Sequence, residues 1–300
     1  MATFNPAHPR FQGFDLIQAT YKHVGDHAIR VDVLIPQALE TGKRPAIVRF
    51  HGGGLVIGDS IVAEFWPQWL SDLALCQSGI IVSPNYRLMP QATGTARKTQ
   101  DTHQLDLDRI LVGGESAGGL LSINVSLTHA SEVRAAIATY PSLDPSSPDF
   151  AQPRTDLLPL GQHFPESLVE DVLGPVRDGG PVSSLVGQEY LPVMCAAIQY
   201  GRLGDWYARG SQESVRQNLL YPVRRLEGPD VQVPVGGITI IQGKQGSVVP
   251  AHHSVLFVER ARKVLQGKPG GERVSLVLRD GEHGFDAEFR YEDQCMKEAL

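Results

Sequence analysis

The sequence predicts an α/β fold: a mostly parallel central sheet flanked by helices on both faces, and three observations carry that expectation. Short apolar runs alternate with helix-forming stretches from Ala46 onward, the order that builds parallel sheets. The runs Ala46–Phe50, Ile80–Ser83, Arg109–Gly113, Arg134–Thr139, Ile238–Gln242 and Val274–Leu278 are largely apolar without strict polar alternation, which fits strands buried on both faces. Two glycine-framed motifs, His51-Gly52-Gly53-Gly54 and Gly114-Glu115-Ser116-Ala117-Gly118, each leave the end of one of these runs.

In chain order, residues 1–14 read as a proline- and aromatic-bearing arm, and the main domain is expected over 15–300. Leu16–Tyr21 and Ala28–Ile35 alternate as an antiparallel hairpin, with its turn near Val24-Gly25-Asp26. Ile61–Cys76 predicts the first helix, and Ala117–His129 the helix behind Ser116. The stretch from Gln91 to Gln104 shows little apolar periodicity. Thr95–Gln100 offers one or two polar turns there, short cover for a sheet face. Residues 145–225 break the strand–helix rhythm with five prolines between Pro145 and Pro165. They then carry helical stretches around Pro165–Leu173 and Glu189–Tyr207, so this segment is expected as an inserted cap. Its bulky side chains, Phe164, Tyr190, Leu191, Met194, Trp206 and Tyr207, are candidate pocket walls or cap-to-core packing. Ser254–Val264 predicts a late helix, with His252-His253 as a surface pair or cap at its start.

The motifs carry chemistry. Ser116 falls where a strand turns sharply into a helix. Such a turn needs small flanking residues and lifts a hydroxyl clear of the sheet. Three successive glycines after the strand Ala46–Phe50 let backbone N–H groups point at a ligand, as an oxyanion hole requires. Far downstream, Asp280-Gly281-Glu282-His283-Gly284-Phe285 follows the last strand and offers His283 as a base. The order serine then histidine matches acyl-transfer enzymes with a nucleophile elbow. His51 reads as a structural hydrogen-bonder of the glycine loop.

Taken with Asn85-Tyr86-Arg87-Leu88-Met89-Pro90 and Gly119, these motifs resemble the hormone-sensitive-lipase-like branch of the α/β hydrolases. The similarity is nearest to fungal members and runs from about residue 15 to about residue 290. The resemblance implies an α/β-hydrolase fold and carboxylic ester hydrolysis with neither metal nor organic cofactor. It also implies Ser116 as nucleophile, His283 as general base, and the N–H groups of Gly52, Gly53 and Ala117 as oxyanion hole.

The chain departs from that family at the acid of the triad. After Ile238–Gln242, the position matching the family aspartate is Gly246, and no carboxylate lies between Asp230 and Glu259. Asp144, after the adjacent strand, is the candidate substitute; its other reading is a turn or cap residue in Ser-Leu-Asp-Pro. Asp280, Glu282 and Asp286 lie too near His283 in sequence to reach its far ring nitrogen easily. The main expectation is a serine hydrolase of small to medium esters or lactones, in specialised metabolism. The alternative is a non-hydrolytic lyase, cyclase or dehydratase on the same scaffold, or an impaired pseudo-hydrolase.

Bulk properties set the outer limits. A net charge of −6, with no basic cluster, argues against nucleic acid or an anionic membrane as partner. Three scattered cysteines and the other histidines show no metal-ligand spacing and no disulfide framework. The first twenty residues lack a signal-peptide core, and no apolar run is long enough to span a bilayer. The expectation is a cytoplasmic enzyme acting on a small molecule.

Overall fold

The computed structural model describes residues 1–38, 42–89, 105–170, 180–212 and 220–299. Eight strands, β1 (Phe14–Val24), β2 (His27–Pro36), β3 (Arg44–Phe50), β4 (Ile80–Pro84), β5 (Leu105–Glu115), β6 (Ala135–Thr139), β7 (Ile238–Gly243) and β8 (Val274–Arg279), form one sheet. Its order is β1-β2-β4-β3-β5-β6-β7-β8. The predicted hairpin closes over Gly25-Asp26, with Val24 opposite His27, and β2 also pairs antiparallel with β4. The remaining pairs are parallel. This is the expected α/β-hydrolase architecture.

Register places the site. β5 lies between β3 and β6, with Phe50 opposite Gly114 and Glu115 opposite Thr139. Both glycine motifs therefore leave the sheet side by side at its C-terminal edge, where open parallel sheets bind ligands.

Three predicted elements change extent for identifiable reasons. β5 begins at Leu105, four residues before the apolar run, and the polar segment 91–104 expected as its crossover lies outside the described residues. The helix expected over Ile61–Cys76 is interrupted by Pro67: a single 3-10 turn at Ala63–Phe65 precedes α1 (Gln68–Cys76). Proline has no N–H to continue a helix but suits a helix start. The helix expected over Glu189–Tyr207 is two, α4 (Leu191–Gln199) and α5 (Arg202–Gln212), separated at Gly201. The stretch expected around Pro165–Leu173 is helical at 167–170, and its remainder lies outside the described residues.

Helix α2 (Ala117–Thr128) is buried on nearly every side, nine of its twelve residues, as befits a helix held between sheet and overlying segment. Between β6 and β7 the chain leaves the sheet and makes α3 (Pro148–Ala151), α4, α5 and α6 (Pro222–Arg225). Met194, Leu203, Trp206 and Tyr207 from this excursion share one apolar cluster with Phe50, Ala117 and Leu120, so it lies over the edge where the motifs emerge. On the opposite face, the N-terminal arm is part of the core. Phe11 and Phe14 are buried, and the Phe11 ring meets Trp66 at 5.1 Å. Burying such an aromatic contributes about 1.5–3 kcal/mol. Helix α7 (His252–Val264) packs Phe257, Val258 and Ala261 against Ile238 and Ile240, and α8 (Gln294–Lys297) closes the chain. Among the described residues, no helix is long and apolar enough to cross a membrane.

Candidate active site

Ser116 stands at the break between β5 and α2 with φ 54 and ψ −116. That backbone is strained for a residue with a side chain, by about 1–3 kcal/mol, and persists only where its surroundings hold it. Here the Ser116 N–H donates to Thr139 O at 2.9 Å, while its carbonyl accepts the N–H groups of Leu120 and Ser142. Gly118 allows the elbow to close, since a Cβ there would lie 2.0 Å from Phe50 O. The serine thus caps α2, whose first N–H groups lack helical partners and favour negative charge.

The His51–Gly54 loop runs beside it. A Cβ placed on Gly52 would come 3.6 Å from that of Ser116. Gly53 turns at φ 103, and its carbonyl accepts the N–H groups of Val56 and Ile57. The side chain of His51 works as predicted. It is fully buried, its Nδ1 lies 2.7 Å from Gly52 O, and its ring stacks on Tyr86 at 4.2 Å. The Tyr86 hydroxyl donates to His51 O, and Asn85 Oδ1 accepts the Ser60 N–H, so the Asn85-Tyr86 motif braces this loop from behind. Burial pushes His51 down to about 4, which keeps it neutral.

His283 lies on the turn after β8, its ring 4.4 Å from that of Tyr140. Tyr140 directly follows Thr139, whose carbonyl accepts the Ser116 N–H, so β6 carries both the partner of the His283 ring and the acceptor that holds Ser116. The Tyr140 hydroxyl donates to Asp286 Oδ1 at 2.8 Å, and Trp69 Nε1 donates to Asp286 Oδ2 at 2.9 Å. Asp286 is therefore committed to those two donors. Burial alone pushes His283 down to about 3, and its Nδ1 is buried without a hydrogen-bond partner.

The position at which the sequence expects the acid lies in the loop after β7. Gly246 is buried in the loop after β7, and a Cβ there would meet Val249 O at 2.8 Å and Gln242 Nε2 at 3.3 Å. Asp144 does not stand in for it: its Oδ1 accepts from Ser146 N at 3.1 Å and Ser146 Oγ at 2.6 Å, so it caps its own turn. Sequence reasoning weighed Glu282 only as an acid and missed its role as a tether. Its Oε1 accepts the N–H groups of both Ser247 and His283 at 2.6 Å, tying the acid-position loop to the histidine loop.

Two further supports were missed. Arg49 on β3 is wholly buried and grips Glu115 through two N–H groups, at 3.1 and 2.9 Å. It also donates to Ser60 O and Phe65 O and lies over the Trp66 ring. Burial pushes the Glu115 carboxyl up, against the pull of Arg49. This pair sits one residue from Ser116; the only hint in sequence was a charge inside an otherwise apolar strand. The other is Arg154, which donates to Asp149 O, Ser247 O and Val248 O and joins the excursion to the acid-position loop.

A small apolar pocket opens beside Ala117, lined by Leu55, Met89, Leu120, Phe150, Leu203 and Tyr207 among others, with no charged side chain among the described residues. Of the six bulky residues read as pocket walls or cap-to-core packing, Tyr207 lines it, while Phe164, Met194 and Trp206 are buried in packing. The His252-His253 pair also differs from expectation. His253 is buried, 3% exposed, and both rings turn to Asp149 of α3.

Residues 47–164 match a family model described as alpha/beta hydrolase fold. The chain is 28% identical to a Phoma protein named "probable carboxylesterase M8", over 97% of this chain and 96% of that one. It is 26% identical to "probable carboxylesterase clz11" of Cochliobolus lunatus, over 59% of this chain and 91% of that one. Among solved structures it superposes on carboxyl esterase 2 of Tuber melanosporum with a TM-score of 0.57 at 17% identity, covering 96% and 84% of the two chains. An esterase of Pyrobaculum calidifontis gives 0.58 at 18%, covering 95% and 80%.

Proposed function

This chain belongs to the α/β hydrolases of the hormone-sensitive-lipase-like branch, and from that premise we propose that it hydrolyses uncharged carboxylic esters or lactones of small to medium size through an acyl-serine. The observation that carries the reading is the strained elbow at Ser116 with the Gly52–Gly53 backbone alongside it. Serine Oγ attacks the carbonyl while His283 Nε2 takes its proton. The N–H groups of Gly52, Gly53 and Ala117 receive the oxyanion, and the imidazolium returns the proton to the leaving alkoxide. Water then repeats the sequence on the acyl group. The charge-free cavity beside Ala117 favours a neutral acyl chain. Residues 145–225 act as a cap on a hydrolase domain spanning 15–300, with 1–14 as an arm packed beneath it.

One observation favours a second reading. With Nδ1 unpartnered, nothing fixes the tautomer that leaves Nε2 free to accept a proton. In serine proteases, an amide in place of the acid costs about four orders of magnitude. A non-hydrolytic carbonyl chemistry that uses the oxyanion hole alone would not need that acid.

Hydrolysis of short p-nitrophenyl esters by the wild type and Ser116→Ala separates the two. Turnover in the wild type that disappears in the variant supports the esterase. Equal background rates in both, from folded proteins, transfer support to the second reading.

A further inference from the structure

Outside the residues of the proposed triad, three side chains of metal-ligating type from two distant segments converge. His252 and His253 open α7; Asp149 belongs to α3 in the β6–β7 excursion. The Nε2 atoms of both imidazoles lie against the same oxygen, Asp149 Oδ2, at 3.0 and 2.9 Å, and all three donor atoms fall within 4.8 Å of one another. Adjacent residues on a helix ordinarily diverge by about 100°. Here the two rings instead stack at 4.5 Å with 27° between their planes, and the inner ring packs near Phe150. We propose that Asp149, His252 and His253 form a binding site for a divalent transition metal, Zn²⁺ in chemistry, that pins the excursion to the core.

The donor set and spacing both fit. Two imidazole nitrogens and one carboxylate oxygen match a three-ligand zinc site with a fourth position for water. Ligands at about 2.0–2.2 Å from a tetrahedral ion stand roughly 3.3 Å from each other. The observed separations between nitrogen and oxygen need to widen by only a few tenths of an ångström, a movement within side-chain reach. Burial is graded as an entry path requires. His253 is enclosed, with 2% of its side chain exposed, Asp149 keeps 26%, and His252 keeps 55%. Asp144 is near enough to act on His253 electrostatically, so a second carboxylate adds negative potential near the site. The carboxylate would then accept the ion in place of two N–H groups.

The position gives the ion a structural consequence. Asp149 O and the carbonyls of Ser247 and Val248 are held by one guanidinium, that of Arg154, and α7 begins directly after that loop. An ion at Asp149 would lock the excursion, the start of α7 and the loop bearing Gly246 into one unit. It would act on the stiffness of that loop without touching the substrate carbonyl.

The test uses full-length protein stripped with a chelator and titrated calorimetrically with ZnCl₂, with Co²⁺ absorption as a second readout. The expected result is one saturable site per chain and Co²⁺ d–d bands without thiolate-to-metal charge transfer. Added Zn²⁺ should also raise Tm. The half-exposed His252→Ala should fold normally, weaken binding at least about tenfold and abolish the Tm response. Asp149→Asn should do likewise, and Ser116→Ala should bind as the wild type does, which separates this site from the esterase reading. Absent saturable binding, equal affinity in His252→Ala and wild type, or a thiolate band pointing to the exposed Cys76, would each overturn the proposal.

Discussion

Placing a carboxylate at position 246 is the most direct probe of the proposed triad. Gly246→Asp places a carboxylate on the loop tied, through Ser247 and Glu282, to His283. The size of the possible gain follows from the histidine. Burial takes it from 6.5 to about 3. At about 1.36 kcal/mol per pH unit, that gap is roughly 5 kcal/mol of imidazolium destabilisation. A carboxylate recovering half of this in the transition state would raise kcat/KM about a hundredfold, and about four orders of magnitude is the ceiling. There is an opposing strain. The new Cβ would meet Val249 O at 2.8 Å, and a carbonyl in a tight loop has little room to retreat. Overpacking of this kind costs about 1–3 kcal/mol, so the variant should be measurably less stable. The assay is kcat/KM on a short p-nitrophenyl ester, with urea unfolding and an NMR titration of His283. A raised histidine pKa with unchanged kcat/KM would refute the idea that the absent acid limits the rate. No change in either, in a folded variant, would show that position 246 does not face the ring.

Asp144→Asn should leave turnover within about twofold, since its carboxylate caps a turn; an abolished activity would restore it as the acid. Glu282→Ala removes the acceptor of two N–H groups and should lower kcat several-fold, with Glu282→Gln recovering part of the loss. Equal kcat in wild type and Ala variant would end its role as a clamp. Glu115→Gln strands the buried Arg49 charge and should lower stability by about 3–5 kcal/mol in chemical denaturation; a loss below about 1 kcal/mol would contradict the pairing. The pH profile carries a sign. His283 must be neutral to accept a proton, and a ring held near about 3 stays neutral as pH falls, so kcat/KM should stay level from about pH 8 to about pH 5. An inflection near 6.5 would refute the buried, unpartnered ring. Stability should behave differently. His283 and His51 resist protonation in the folded chain, so the unfolded chain binds more protons below about 6.5, and stability should fall with acidification through that range.

What the sequence revealed and what it concealed divide along a physical line. The sheet, the elbow and the course of the His51–Gly54 loop were legible because each depends on local requirements. A strand buried on both faces must be apolar, and Gly118 must lack a side chain where Phe50 O approaches to 2.0 Å. The supports were not legible, because they join residues far apart in the chain. Arg49 and Glu115, Trp69 and Asp286, and Asp149 with the two histidines are distant or unpatterned in sequence and meet only in the fold. Helix limits failed where a single residue decided them, as Pro67 did for the helix expected from Ile61.

The distribution of intact and missing parts bears on the chemistry. If selection for the site had lapsed, the expensive features would be the first to relax: the strained backbone at Ser116, the buried Arg49–Glu115 pair, and the close approach of Gly118. Each is destabilising unless its neighbours hold it, and each is fully held here. Tyr140 likewise keeps its ring on His283 through a buried carboxylate that serves no other visible purpose than to fix Tyr140 and Trp69. In the proposed triad the part without a counterpart is the acid, whose work is to hold a tautomer and stabilise a transient cation. On the proposed mechanism, that loss would slow proton transfer while leaving the serine, the glycine loop and the pocket in place. Such a site would still be acylated by a sufficiently reactive ester. An activated substrate should therefore lose far less rate than an unactivated one when compared with a relative that keeps the acid, a contrast that a series of phenyl esters with graded leaving groups measures directly. A leaving-group dependence no steeper than that of such a relative would show that proton transfer is not impaired, and that some group restores the base during turnover.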